Sequence, residues 1–542
     1  MHRFTFFSKL LRQGTTIVSE KEEGLASHKL LLQSGILSVS SPGTFVLSPI
    51  ALRVVDKLIA FIDYKMSEVG GQKCLFPTLG RSQLWVRSGR WEKFGGEMFR
   101  LKDRVGRSLC LQPTHEEEAC EFVSSLDIGN SVLPLRIYQI SSKFRDEIKP
   151  RLGLLRCREF LMKDMYSFDL DVRAAEKTYD ALSNVYSDIF RTLRLPVLRV
   201  AAEGGLMGDC HSHEFHCPLA VGEDTLSVCP RYASQQHALS LGISKSFYIT
   251  SLSYDINFKK SGLPIPTPAH PKVIKYTYQK GIVILTKTTP MICNEAVLAA
   301  NADSRMCPDC GLDRQTFKSV EKNDSIFLQL AHCFLLGDKY TSNFNVKTTT
   351  QNGRKILQMG CYGIGVTRLL AAALEHFTAS LVKENPPKEL RWPSGFAPYS
   401  GAIALQKDNA RDALSTDELN GVLAHFMELP STSNSPTSGS TFFAGLLPRG
   451  DILVDDRSRL SLGRKLLDLR RLGVPWILIA KSRKGSVNSE YELVDVNRGG
   501  ISFTASLNDV VAAFTRYDFQ IPLPDICDHQ YSRLWHENDT SR

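Results

Sequence analysis

Lys143–Phe168 reads KFRDEIKPRLGLLRCREFLMKDMYSF. Strand-like stretches at Arg136–Ser141 and Glu159–Phe168 flank a loop that carries Lys149, Pro150, Arg151 and Gly153. Runs of this kind separated by a Gly- and Pro-containing loop predict an antiparallel hairpin. Cations bracket the loop at Arg145, Arg151, Arg156 and Arg158. Each guanidinium offers a planar fork of donors that suits phosphate oxygens. Phe160 can present a ring face to a base, and Glu147 can accept from an exocyclic amine. On residue chemistry alone, a nucleotide site and a solvated basic loop are equally good readings.

A second stretch, Gly360–Arg368, reads GCYGIGVTR. Glycines 360, 363 and 365 permit close backbone approach, and Arg368 falls in the first turn of an apolar helix carrying Leu369, Leu370, Leu374 and Phe377. No Gly-Lys-Ser/Thr follows, so this is not a Walker A loop, and the glycine spacing does not fit a dinucleotide fingerprint. Upstream, Val55, Leu58, Ile59, Ile62, Met66 and Val69 recur at helical spacing over Ala51–Val69, with Gly70 and Gly71 as a stop. Lys73–Pro77 then reads as a short strand, and Tyr179, Leu182, Tyr186, Ile189, Phe190 and Leu193 mark another amphipathic helix. Beyond the proline-rich stretch Lys383–Ser400, strand-like segments at 402–405, 452–454, 476–480 and 491–496 alternate with helical ones, notably 462–472. That pattern predicts a separate small α/β domain.

With 542 residues the chain is too long for one core. Its 43% hydrophobic and 23% charged composition is that of a globular protein, and no uninterrupted apolar run is long enough to span a bilayer. The +9 formal charge suits a polyanionic partner without demanding one. Thirteen scattered cysteines point to a reducing compartment rather than a disulfide framework. The first twenty residues, MHRFTFFSKLLRQGTTIVSE, are basic, acid-poor and amphipathic, the composition of a mitochondrial targeting leader.

Taken together and in order, these segments resemble the three signature motifs of class II aminoacyl-tRNA synthetases. The helix from Ala51 with Gly70, Gly71 and Pro77 resembles motif 1, the dimer motif. Phe144-Arg145-Asp146-Glu147, followed by Arg156 and Phe160, resembles motif 2, and Gly360–Arg368 resembles motif 3. Pro113-Thr114-His115-Glu116-Glu117, Arg158–Asp164, Ser212–Phe215 and Met359–Gly365 resemble the prolyl enzymes of bacterial and mitochondrial type. Gly70–Lys73 and Leu154–Arg156 resemble their animal mitochondrial branch. Leu453–Ala480, with Asp455-Asp456-Arg457, resembles the family's anticodon-binding domain.

The resemblance implies an α/β (α+β) fold: a class II catalytic domain built on an antiparallel sheet with flanking helices, plus a C-terminal mixed α/β anticodon-binding domain. It divides the chain into a leader or tail at 1–24, the catalytic domain at 25–228 and 311–385, and an insert at 229–310. A linker follows at 386–400, then the anticodon-binding domain at 401–525 and a tail at 526–542. It implies a proline–tRNA ligase of the mitochondrial matrix, using ATP and Mg2+, acting on L-proline and tRNA(Pro), and forming a homodimer through motif 1, with no membrane partner. The catalytic residues would be Arg145 and Arg368. Arg145 would hold the α-phosphate and the proline carboxylate, while Arg156 and Arg368 would grip the outer phosphates. Glu147 and Phe160 would read and stack the adenine, with Gln329 and His332 on a further ATP-contacting strand. Thr114 and Glu116 would take the imino group, and Cys361 would line the ring pocket.

Departures from the family pattern are Gln112 for a glycine, Asp209 for the second glycine of a pair, Gln329 for a glutamate and Ala331 for a glycine. Only about 80 residues stand where bacterial relatives carry a full editing domain, so the insert reads as reduced. Cys307 and Cys310 have zinc-knuckle spacing, with Cys229 in a degraded partner, and a metal-free turn is the better reading there. A non-catalytic synthetase-like accessory or tRNA-binding protein is the competing function. Retention of Arg145, Arg156 and Arg368 argues against it. For threonyl, seryl or glycyl specificity, the Pro-Thr-His-Glu-Glu segment is the counter-argument.

Overall fold

The computed structural model describes residues 5–11, 25–126, 128–202, 207, 211–219, 222, 226–228, 278–279, 282–283, 292–294, 318–319, 327–351, 353–382, 387–393, 395–408, 410–427, 451–481 and 491–515. They form two compact units: residues 41–44 with 61–372, and residues 1–40 with 45–60 and 373–542. Helix α1, Pro49–Glu68, contains one boundary. The catalytic domain is expected at 25–228 and 311–385, whereas residues 25–40, 45–60 and 373–385 group with the C-terminal residues. The reason is electrostatic as well as apolar. Asp451 binds Lys57 at 2.8 Å and Arg53 at 2.7 Å, and Glu375 accepts the Ser27 amide.

The first unit is built on a ten-stranded sheet. Its main strands are β1 (Gln72–Lys73), β2 (Leu135–Phe144), β3 (Glu159–Asp169), β4 (Leu198–Ala202), β5 (His211–Pro218), β6 (Phe327–Gly337) and β7 (Gln358–Gly365). They lie in the order β1-β2-β3-β7-β6-β5-β4, antiparallel throughout except for the parallel β1–β2 pair. The hairpin expected from Lys143–Phe168 is β2–β3, paired from Leu135↔Phe168 to Phe144↔Glu159. The strand expected over Lys73–Pro77 shrinks to Gln72–Lys73, because pairing with β2 stops there and the chain moves off towards Pro77.

Two helices of this unit carry the argument. In α2, Glu116–Ser124, three glutamates fill the first turn, where the helix dipole favours negative charge. In α3, Val172–Thr192, Asp171 caps the N-terminus by accepting from the Ala174 amide at 2.9 Å. Its Tyr179, Leu182, Tyr186, Ile189 and Phe190 stripe is buried against one face of the sheet. Helix α4, Val366–Leu381, follows β7 directly.

The second unit has a mixed six-stranded sheet. Strands β8 (Gly401–Leu405), β9 (Ile452–Asp455) and β10 (Trp476–Ala480) are parallel, and β11 (Tyr491–Asp495) and β12 (Ile501–Ala505) extend it antiparallel. Helices α5 (Thr416–Met427), α6 (Leu462–Arg471) and α7 (Leu507–Thr515) complete the unit. Its outermost strand comes from the segment composition marks as a leader. Thr5–Phe6 pairs in parallel with β9, Thr5 opposite Leu453 and Phe6 opposite Val454. Phe7 is buried, the Arg457 guanidinium lies 3.6 Å over its ring, and the Ser8 amide and hydroxyl both donate to Asp456. Among the described residues, no helix is long and apolar enough to cross a membrane.

Candidate active site

Strand alternation sorts the chemistry onto the two faces of the large sheet. On β3, adjacent Lys163 and Asp164 point opposite ways. Lys163 reaches Tyr186 of α3 and the Tyr362 carbonyl, and burial brings its pKa down to about 7. Asp164 faces away from α3, into a buried set where it pairs with the Lys143 ammonium at 2.8 Å and accepts from Gln139 at 3.0 Å and Tyr166 at 2.7 Å. The register puts Tyr166 opposite Cys361, Cys361 opposite Phe334, and Asp164 opposite Gly363, itself opposite His332. Phe160 of β3, His332 of β6 and Cys361 of β7 thus share the face that α3 does not cover. Gly360 is needed where it is, since a Cβ there would meet Ser167 Oγ at 2.9 Å.

His213 falls on the other face. Its Nδ1 lies 2.7 Å from the Tyr179 hydroxyl, and burial with the nearby Arg199 charge lowers its pKa to about 2, so it is a neutral packing histidine. His332 belongs to the site face. Its Nε2 meets Ser212 Oγ at 3.1 Å, its Nδ1 meets Gln329 Nε2 at 3.1 Å, and its ring stacks on Phe334. Burial lowers its pKa to about 4, leaving a neutral imidazole.

The hairpin loop holds its charges in defined places. The Arg145 amide donates to the Arg158 carbonyl, and the Arg145 guanidinium lies 5.5 Å over the Phe160 ring. Arg145 Nε is buried without a partner among the described residues. Burial, then the neighbouring Arg368 charge, disfavour its cationic form, so the position is one that an anion would complete. Arg368, at the start of α4, donates to the carbonyls of Leu155 and Gln329 at 2.9 and 3.1 Å. Glu147 and Arg156 bind each other at 2.7 Å. Burial opposes ionisation of Glu147, but that bond and the Lys149 amide outweigh it and keep the carboxyl acidic.

A second pocket wall forms where Pro113–Glu117 enters α2. Thr114 Oγ1 lies 2.8 Å from both Glu116 oxygens, and Cys361 Sγ donates to Oε1 at 3.1 Å. Burial, then Glu116, push the Cys361 thiol well above its usual range, so it stays protonated. Sequence reasoning missed Arg90, which bonds both Glu116 and Glu117 at 3.0 Å. No local sequence signal marks it, since its partners lie 26 and 27 residues away. Gln112, the unusual residue before Pro113, is fully buried and accepts from Trp85 Nε1 at 3.0 Å. Its side chain fits because residue 80 is glycine, where a Cβ would come within 2.5 Å of Gln112.

The zinc candidates Cys229, Cys307 and Cys310 and the departure Asp209 lie outside the described residues. Among the described residues, no group of three His, Cys, Asp or Glu side chains is placed to hold a metal by itself.

Comparison with known proteins names this arrangement. Residues 99–377 match the family described as tRNA synthetase class II core domain (G, H, P, S and T). The chain is 34% identical over 480 residues to the probable mitochondrial proline–tRNA ligase of Rattus norvegicus, covering 88% of this chain and 82% of that protein. It is 30% identical to the proline–tRNA ligase of Chlamydia pneumoniae, covering 90% and 95%. Its fold is similar to that of a crystal structure of Cryptosporidium parvum prolyl-tRNA synthetase complexed with L-proline and AMP. That match has a TM-score of 0.57 at 13% identity, covering 92% of this chain and 78% of that one. The chain belongs to the proline–tRNA ligase family of class II aminoacyl-tRNA synthetases.

Proposed function

We propose that the chain activates L-proline with ATP and esterifies it onto tRNA(Pro) in the mitochondrial matrix. The observation that carries this reading is the pairing, on one sheet face, of a cationic wall at Arg145 and Arg368 with a carboxylate pocket at Thr114 and Glu116. Proline is a zwitterion, and these walls match its two ends: Glu116 accepts from the secondary ammonium, and Arg145 receives the carboxylate. A proline carboxylate oxygen attacks the α-phosphorus in line, and the bond to the β-phosphate oxygen breaks, releasing pyrophosphate. No side-chain nucleophile is required. The protein contributes positioning and charge neutralisation.

Arg145 bridges the carboxylate and the α-phosphate, Arg156 and Arg368 hold the outer phosphates, and the adenine lies on Phe160 beside Glu147. The carbonyls of Leu155 and Gln329, with which Arg368 is bonded, keep that guanidinium at the edge of β6. His332 and Gln329 line the same strand, with Ser212 orienting the imidazole. Gln329 and Glu214, the latter 3.5 Å from His332 Nδ1, are the oxygen donors that would hold a magnesium ion accompanying the triphosphate, and the ion would supply neutralisation of phosphate charge. A ribose hydroxyl of the terminal tRNA nucleotide then attacks the prolyl carbonyl carbon, AMP leaves, and solvent takes the hydroxyl proton.

Assembly as a homodimer is supported by the exposed apolar side chains of Leu75 (75%) and Leu79, which follow the open edge strand β1 within motif 1. Light scattering should give a dimer at micromolar concentration. Amino-acid-dependent ATP–pyrophosphate exchange across the standard amino acids tests the substrate. Proline should be fastest, and faster exchange with serine or threonine would overturn the assignment.

A further inference from the structure

Arg90 stands outside the motifs, after the short helix Ser82–Arg87, and its guanidinium lies 4.8 Å over the Trp85 ring. It is buried, as are Glu116 and Glu117. Its Nη1 lies 3.0 Å from Glu116 Oε2 and 3.0 and 3.2 Å from the two Glu117 oxygens. Ser88 Oγ also donates to Glu117, at 2.7 Å. Every bond to the two carboxyl groups is thus donated by the neighbour: Arg90 and Ser88 to Glu117, and Arg90, Thr114 and Cys361 to Glu116. Arg90 can only donate, so the oxygens it touches on both groups act as acceptors; burial pushes the Glu117 carboxyl above its ordinary range, and the Arg90 charge is the largest influence opposing that shift.

With both groups ionised, two carboxylates against one guanidinium leave a single negative charge among buried side chains. Thr114 has one proton for its two contacts with Glu116, and an ionised carboxyl offers about four acceptor positions, so Glu116 retains room for one further donor. Other nearby ionisable groups do not alter the count around neutrality. Lys143 is bound to Asp164, burial lowers the His115 pKa to about 4, and burial holds the thiols of Cys110, Cys120 and Cys361 and the phenols of Tyr166 and Tyr340 in their neutral forms. Arg145 faces the same pocket and is the one assigned to the substrate carboxylate.

We infer that Arg90 is a positioning residue for amino-acid recognition: it keeps Glu116 and Glu117 ionised together, so that the pocket carries one net negative charge that the substrate's secondary ammonium cancels. This rests on the reading of Glu116 as the imino-group acceptor. Without the guanidinium, two buried carboxylates would share a proton, and Glu116 would lose acceptor strength.

The test is pyrophosphate exchange on the full-length enzyme, with KM for proline and for ATP measured from pH 6 to 8.5. Arg90→Gln should raise KM for proline by about 30-fold or more at pH 6.5, the lower end for truncating a buried charge pair, with KM for ATP unchanged. The defect should shrink as pH rises and the second carboxyl ionises. Arg90→Lys keeps the charge and should keep a flat profile. The double variant Arg90→Gln/Glu117→Gln restores one net negative charge, and should recover proline KM and the flat profile relative to Arg90→Gln alone. That rescue also controls for folding, since a scaffold defect would not be repaired by a second loss. A proline KM within about twofold of the parent in Arg90→Gln, an equal rise in KM for ATP, or a double variant no better than the single would each overturn the inference. Glu116→Gln separates the two readings. If it leaves proline KM unchanged, the imino-group assignment itself fails; if it raises KM while Arg90→Gln does not, only the role of Arg90 fails.

Discussion

Replacing Phe7 with alanine should undock the N-terminal segment from the C-terminal sheet. The segment's hold can be estimated piece by piece. Phe7 is 4% exposed, and burying an aromatic side chain of about 200 Å² at about 25 cal/mol/Å² contributes at most about 5 kcal/mol. The Arg457 guanidinium over the ring adds about 0.5–1 kcal/mol. The Ser8–Asp456 bonds, charge-assisted on the acceptor side, add about 1.5–3 kcal/mol each at best, less for their exposure. Against these stands the cost of ordering Thr5–Lys9, about 1–2 kcal/mol for each residue's backbone. The balance is small, so losing about 3 kcal/mol or more at Phe7 tips it towards release. Limited proteolysis with intact-mass detection should find residues 5–11 protected in the parent and cut early in Phe7→Ala. The unit's urea midpoint should fall in parallel. Equal protection and an unchanged midpoint would refute the estimate. Deleting residues 1–24 removes the edge strand with its Phe7 and Ser8 contacts, and should lower the unit's urea midpoint at least as far as Phe7→Ala does.

Arg145→Ala should slow adenylate formation by about 10²–10³, the usual effect of losing one preorganised donor at a developing charge, as read by single-turnover pyrophosphate release. Asp451→Asn leaves the buried Lys57 ammonium poorly compensated, and should cost about 3–5 kcal/mol in urea unfolding, whereas Lys57→Met, which removes the charge itself, should cost less. Acid should weaken the catalytic unit before its carboxylates titrate. His115 and His332 have folded pKa values of about 4 against an ordinary 6.5. The unfolded chain therefore takes up these protons first. Stability is fully present above pH 6.5 and falls towards pH 4, by up to about 1.4 kcal/mol per pH unit for each histidine, and His115→Gln should flatten the slope.

The hairpin Lys143–Phe168, the helix after Gly365 and the C-terminal strands were legible because their periodicity and loop chemistry agree with the fold they enter. The face on which each site residue sits was not. Lys163 and Asp164 are neighbours in sequence, and only the register with β7 decides that Asp164 joins the pocket while Lys163 goes under α3. Arg90 was invisible for a related reason. Its partners lie 26 and 27 residues away, and no local pattern ties an arginine after one helix to glutamates opening the next. The N-terminal segment is compatible with two readings. Basic, aromatic and acid-poor composition describes a targeting leader, but it equally describes an edge strand whose phenylalanine is covered by an arginine.

The charges of the site are arranged so that its resting state is held by bonds the substrates can replace. Glu147 and Arg156 occupy each other on a partly exposed loop, where an ion pair is worth about 1 kcal/mol or less and would, in the proposed reaction, exchange readily for contacts to adenine and phosphate. Arg368 rests on two backbone carbonyls, neutral acceptors that a phosphate oxygen outcompetes. Arg145, by contrast, is half-buried beside Arg368, with its Nε buried and unpaired among the described residues, and that desolvation already weighs against its charge. In the proposed reaction, an arriving carboxylate and α-phosphate would relieve that cost at the position where negative charge grows during transfer. The largest gain on binding is therefore expected at Arg145 and a smaller one at Arg156. Arg156→Ala should act mainly on KM for ATP, while Arg145→Ala acts on the rate of the chemical step. A loss of kcat in Arg156→Ala equal to that in Arg145→Ala would mean that the loop pair, and not the half-buried arginine, stabilises the transition state.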